Sequence, residues 1–200
     1  LPVIMKKILT IIIFIISITT YSQSSIKKRY YYFQQQKITK VKFESLDKRK
    51  IYIKKIENDT IIIKNIFLRK KKKTLDSIQH YQFKKILKSI LGSRYNPEIK
   101  TMIHLYSHDN ESIYKDSKHK KYWKWINNNS NRYQSFLIGT KDSQLKVDKH
   151  IFLDNDNLIK RLFFKNSDFK INHLLIKPNG EIYIYFGSEN ILSILDWSVD

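Results

Sequence analysis

Cysteine and alanine are both absent from the 200 residues, which also hold only four glycines and three prolines. Without cysteine there is no disulfide, no thiolate nucleophile and no Cys-ligated metal, so stability must come from a packed core. The four glycines form no phosphate-cradling loop, and neither a Gly-x-Ser-x-Gly elbow nor a His-Glu-x-x-His pair occurs. Carboxylates are scarce: 18 Asp and Glu face 38 Lys and Arg, a formal charge of +20.

Long apolar runs are limited to one. Met5, Lys6 and Lys7 precede the eleven-residue stretch Ile8–Ile18, and Thr20 and Ser22 then stand at −3 and −1 of a cut before Gln23. This is the layout of a secretory signal over residues 1–22, and eleven residues are short of the about 20 a membrane span needs. Residues 1–4 read as translation upstream of the true start. The competing reading is a retained N-terminal anchor. No cysteine follows the run, so lipid anchoring is excluded. The expectation is a periplasmic or secreted protein.

What is abundant is lysine, with 32 of the 38 basic residues. Part of that excess fits an AT-rich codon bias, but its distribution is uneven. Residues 23–100 carry 22 basic and 6 acidic side chains, whereas residues 101–200 carry 14 and 12. The first half is therefore a cationic region.

Residues 24–37 lack a clean period and read as a lead-in or an edge strand. Residues 38–46, 49–57 and 60–69 alternate β-branched with polar residues and are separated by Asp/Asn turns, which predicts an antiparallel meander. The run Arg69, Lys70, Lys71, Lys72 and Lys73 closes its third strand. Leu75, Ile78, Phe83, Ile86, Leu87, Ile90 and Leu91 then recur at helical spacing, which predicts an amphipathic helix over 74–92 capped by Thr74 and stopped by Gly92. Downstream, strands are expected at 99–107 and 132–141, helices at 117–129 and 154–164, a hairpin at 172–187 turning at Pro178-Asn179-Gly180, and a last helix over 188–199 capped by Ser188. Three regions are expected: the signal, a cationic β-rich region 23–73, and a domain 74–200 that includes the leading helix.

The order from Ile99 onward, β-α-β-α-β-β-α, together with the hairpin "LLIKPNGEIYIYFG" and the preceding "IFLDNDNLIKRLFF", resembles the thioredoxin-like and peroxiredoxin-like proteins of the secreted bacterial type. The fold class this implies is α/β, a thioredoxin-like core preceded by an antiparallel β-rich extension and one amphipathic helix. In that family the turn after the first core strand carries Cys-x-x-Cys at a helix N-terminus, where the thiol pKa is lowered. The matching positions here are Ser107, His108, Asp109, Asn110 and Glu111, a redox-site equivalent without sulfur. The family's cis-proline position falls near Asn172 and His173.

Other chemistry is thinly supported by the residues. His104 and His108, four apart with Asp109 and Glu111 nearby, are metal-ligand types, but on a strand that spacing does not converge. "DNDN" (Asp154–Asn157) opens like a calcium loop, yet Leu158, Arg161 and Lys165 stand where later oxygen ligands are required, so Asp154 is expected as a helix cap instead. No cofactor and no metal is expected. The leading functional reading is an exported, non-catalytic binding or scaffold protein with an envelope protein as partner. The alternative is a polyanion-binding module with the working surface Lys27–Lys73, Arg69–Lys73 being its candidate residues, against nucleic acid or an anionic envelope surface. A third is a thiol-independent enzyme built on the polar turn 107–112.

Overall fold

The structure, a computed structural model, describes residues 27–107, 110–143, 145–165, 167–187 and 190–197. The expected signal segment, His108, Asp109 and Ser188 lie outside the described residues. Among the described residues, two mixed sheets and five α-helices make a mixed α/β architecture. It divides into two compact units, one ending at Phe67 and the other beginning at Leu68. Among the described residues no helix is long and apolar enough to cross a membrane.

The first unit holds β1 (Lys28–Phe33), β2 (Gln36–Ile38), α1 (Lys40–Ser45), β3 (Ile51–Glu57) and β4 (Ile61–Leu68), with sheet order β2-β1-β4-β3. Gln34 and Gln35, both at positive φ, reverse the chain from β1 into β2. The expected antiparallel meander is corrected in two ways. Residues 40–45 are helical, because the Thr39 hydroxyl accepts from Lys42 N at 3.2 Å and caps the turn. The sheet is also mixed, because β1 inserts beside β4 and runs parallel to it, pairing Tyr31 with Lys64. The β3–β4 hairpin survives, its turn held by the Asn58 side chain, which accepts from Thr60 N and Ile61 N. The small core centres on Tyr31, whose ring stacks on Phe43 at 4.6 Å, with Ile62 and Ile66 buried as well.

The second unit begins where the lysine run departs from expectation. Instead of ending β4, Lys70–Thr74 forms its own strand, β5, antiparallel to Glu181–Tyr185. The helix α2 (Ser77–Leu91) starts later than expected because Asp76, not Thr74, caps it, accepting from Gln79 N at 2.8 Å. Gly92 stops it at φ 63°. Next come β6 (Lys100–Tyr106), α3 (Asn110–Ser117), α4 (Lys120–Asn128), β7 (Tyr133–Thr140), β8 (Ile151–Asp154), α5 (Leu158–Phe163), β9 (Ile171–Ile176) and β10 (Glu181–Phe186), and a 3-10 turn spans Ile191–Trp197. The sheet order is β5-β10-β9-β6-β7-β8, with β6, β7 and β8 parallel and β9 antiparallel to β6. Strand β8 adds an edge that the expected order did not contain.

β6 and β9 are central because their runs are apolar on both faces. Ile103, Leu105, Leu137 and Leu175 are all buried. One face packs Met102, Tyr106, Leu137 and Leu175 against Ile113 of α3, Tyr122 and Ile126 of α4, and Ile194. Alternation turns Ile103, Leu105 and Leu174 to the opposite face, where the ring of Phe164 meets Phe186 at 5.7 Å and that of Phe83 from α2 meets Phe163 at 4.9 Å. Asp154 caps α5 from the end of β8, its two carboxylate oxygens accepting from Leu158 N and Ile159 N at 2.9 and 2.7 Å. That is the capping role expected of the "DNDN" run.

Candidate functional site

The positions expected to form a polar turn after β6 are reorganised. Ser107 is buried, and its N–H donates to Lys170 O at 2.7 Å, tying the end of β6 to the segment that enters β9. Asn110 and Glu111 do not sit in a turn; they open α3. A helix begins there because the residues from Asn110 on place one apolar side chain, Ile113, in the core while the rest stay polar. The helix expected over 117–129 is present as α4, starting later at Lys120, and a break at Lys118–His119 separates it from the additional helix α3. His119 N donates to Asp116 O at 3.1 Å to close α3, and Trp123 Nε1 donates to the same carbonyl at 2.9 Å. His119 Nδ1 in turn accepts from Tyr122 N to start α4.

This break aims one face of α3 into a cavity of about 850 Å³. Ser112, Lys115, Asp116 and His119 lie three and four apart and line one wall. The lining is continued by Asp168, Phe169 and Lys170, the residues just ahead of β9, and by Gly187 and Ile191 beyond the end of β10. Asn172 and His173, the residues expected near a cis-proline position, lie inside β9, and Phe169 and Lys170 precede it. Gly187 is obligatory here, because at φ 66° a Cβ would come within 2.3 Å of the Phe169 ring.

Arg69 also lines the cavity and so separates from the lysines that follow it. Its Nη1 donates to Phe186 O at 3.0 Å and Gly187 O at 2.7 Å, and the guanidinium lies 5.5 Å from the centre of the Phe169 ring. The expected polyanion set is thus divided: Arg69 belongs to the cavity, and Lys70–Lys73 form an exposed sheet edge. On that edge Lys72 pairs with Glu181 at 2.6 Å, and Lys70, Lys72 and Lys177 lie 5.0–5.5 Å from the centre of the Tyr183 ring. Lys177 and Lys72 hold the Glu181 carboxyl down at about 2.

Asp116 is the buried acid of the cavity. Its Oδ2 accepts from the Tyr106 hydroxyl at 2.7 Å, which fixes α3 against the end of β6. Burial pushes its pKa up, against the opposing hydrogen bond from Tyr106.

Within the same face of the sheet lies a second polar group that the sequence reading did not assemble. His104 and His173 face each other across β6 and β9, with Nδ1 to Nδ1 at 2.7 Å. His104 Nε2 is 2.7 Å from the Tyr122 hydroxyl and 3.2 Å from Ser135 Oγ, which themselves lie 2.7 Å apart. All four residues are buried. A hydrogen bond at this distance requires one Nδ1 to carry the proton and the other to accept it, and burial together with the neighbouring His173 drives the His104 pKa well down. The signal was present in the sequence: "IHL" and "NHL" each set a histidine in a continuous apolar run, and pairing those two strands brings the rings together. His104 is therefore committed to His173, and His108, the metal-ligand type weighed beside it, lies outside the described residues. Among the described residues no group of three His, Cys, Asp or Glu is placed to hold a metal ion.

No family model, curated protein or solved structure matches the chain.

Proposed function

We propose that the unit from Leu68 onward is a thioredoxin-like core without thiol chemistry, and that the protein is an exported, non-catalytic binding protein whose ligand enters the cavity at the end of β6. The fold reading is supported by strand order. β6 lies between parallel β7 and antiparallel β9, and β10 follows β9 as a hairpin. β5 and β8 are then additions at the two edges. Export rests on the charge, apolar run and small-residue exit of residues 5–23.

One observation carries the functional reading. The cavity lies between the first turns after β6 and the segment entering β9, the place where thioredoxin-like proteins carry reactive sulfur, and this chain has no cysteine to put there. A volume of about 850 Å³ is within the range of small-molecule sites. The cavity is retained as space, with polar side chains from one helix face turned into it, which suits recognition.

The test is a binding screen of small acids, phosphates, amines and sugars against the full chain and its Ser112→Trp variant, followed by calorimetry. Compounds that bind the natural chain and lose binding in Ser112→Trp, with the unfolding temperature held, support the reading. A screen in which no compound loses binding in Ser112→Trp contradicts it. A second reading, polyanion binding, is favoured by one feature: all five residues of β5 are exposed, and four are lysines in a fixed row.

A further inference from the structure

We propose a second binding site, for a small oxyanion (a carboxylate or a phosphate), in a groove of about 370 Å³ at the starting ends of β6, β7 and β8. Its receiving groups are Arg94, Lys149 and His150. The groove shares no lining residue with the cavity at the end of β6, so the inference stands whether or not that cavity takes a ligand. Both walls are set before a ligand arrives. Arg94 Nη1 donates to Asp148 O at 3.2 Å and Lys149 O at 2.7 Å, and its guanidinium lies 5.3 Å from the centre of the Phe152 ring. The Gln134 side chain ties down the other wall: Oε1 accepts from Asn96 N at 3.0 Å, and Nε2 donates to Asn96 O and to Thr101 Oγ1. Between them the His150 ring stacks on Trp123 at 3.6 Å.

The charges of this groove are uncommitted. Arg94 engages one nitrogen with two carbonyls, and its other nitrogens, the Lys149 ammonium and the His150 ring nitrogens have no hydrogen-bond partner among the described residues. No carboxylate lines the groove among the described residues. Asp148 and Glu98 flank it without lining it, and Asp148 Oδ1 is turned onto the main chain, accepting from His150 N at 2.7 Å and Ile151 N at 3.0 Å. A guanidinium held in its plane loses little freedom on binding and matches the flat fork of a carboxylate or phosphate, while an ammonium on a flexible stem adapts to either. A cation would be repelled by both charges; an oxyanion offers each a lone pair. Burial holds the His150 pKa down, with Lys149 and Arg94 adding to it and Asp148 opposing. A bound anion offsets those two cations, so the His150 ring should titrate at higher pH when the site is filled.

The experiment titrates the full chain with inorganic phosphate and with malonate, against glycerol, at ionic strength matched with sodium chloride, and follows the His150 ring by NMR. Saturable binding of phosphate or malonate is expected, and the better of the two tells which oxyanion the site prefers. Lys149→Glu should weaken it about tenfold or more. Lys141→Glu, an equal charge change at an exposed position past the far end of β7, should leave it unchanged, as should Ser112→Trp. Equal weakening by the two lysine variants would mean a diffuse charge effect and would overturn the inference. Anion binding lost in Ser112→Trp but kept in Lys149→Glu would overturn it too, and would place the anion in the cavity at the end of β6. No saturable anion binding, glycerol binding as well as the anions, or a His150 titration unmoved by saturating anion would each overturn it.

Discussion

The two compact units are built on opposite terms. Residues 27–67 carry twelve Lys and Arg against four Asp and Glu, and their core is a handful of side chains around Tyr31 and Ile66, with Val41 and Ile56 left exposed. From Leu68 on, two strands buried on both faces run through the middle of a six-stranded sheet. The first unit depends on caps, turns and a few stacked rings; the second depends on removing large apolar side chains from water. Function follows the same division in this account. A rigid central sheet can hold a shaped cavity at its end, whereas a thin cationic sheet offers a surface.

Core truncation gives the largest expected contrast. Leu175→Ala should cost about 2–5 kcal/mol, because a fully buried leucine leaves a cavity behind, whereas Val41→Ala, at a position 76% exposed, should change stability by no more than about 0.5 kcal/mol. Urea unfolding by circular dichroism measures both. Similar costs at the two positions would break the comparison.

The next effect is a pH slope confined to the second unit. The unfolded chain takes up protons on His104 and His173 near pH 6.5, while burial holds the folded His104 well below that. Below about pH 6.5 the unfolded state therefore binds more protons than the folded one, so stability is complete above that pH and falls as the solution is acidified. The slope is at most about 1.4 kcal/mol per pH unit for each histidine. Replacing both histidines with leucine should flatten the profile between about pH 6.5 and pH 5 relative to the natural chain. An unchanged slope would place the titrating groups elsewhere, with His80 and His150, whose pKa values burial also lowers, as the other sources.

How much of this was legible in the sequence differs between the units for the same physical reason. β6, β9, β10 and the Pro178-Asn179-Gly180 turn were readable because long apolar runs have few ways to be buried. So were α2 and its Gly92 stop, where periodicity and cap agree. Residues 38–46 misled because alternation of Ile, Val and Phe signals a strand only when a partner covers one face; here the Thr39 cap and a single buried Phe43 decide for helix. The lysine run misled because charge says nothing about pairing: β5 finds β10 through its backbone, and lysine suits an exposed sheet edge by discouraging further pairing. The cavity begins beside the expected turn 107–111, at Ser112, but its other lining residues Arg69, Asp116 and Lys170 come from three separate stretches that only the fold brings together.

The smallest expected effect concerns that edge. Lys71→Thr with Lys73→Thr should shift stability by less than about 0.5 kcal/mol per substitution, since both side chains are exposed. Elution from a heparin column should move no further than in a Lys84→Thr/Lys85→Thr pair on α2. A much larger shift would favour the polyanion reading.

The most direct test of the central claim is a backbone NMR titration of the full chain with the small acids, phosphates, amines and sugars of the binding screen. The account predicts saturable shifts clustered at Ser112–Asp116, Phe169–Ile171 and Gly187. Shifts running instead along Lys70–Lys73 and through residues 27–67, without saturation, would contradict it.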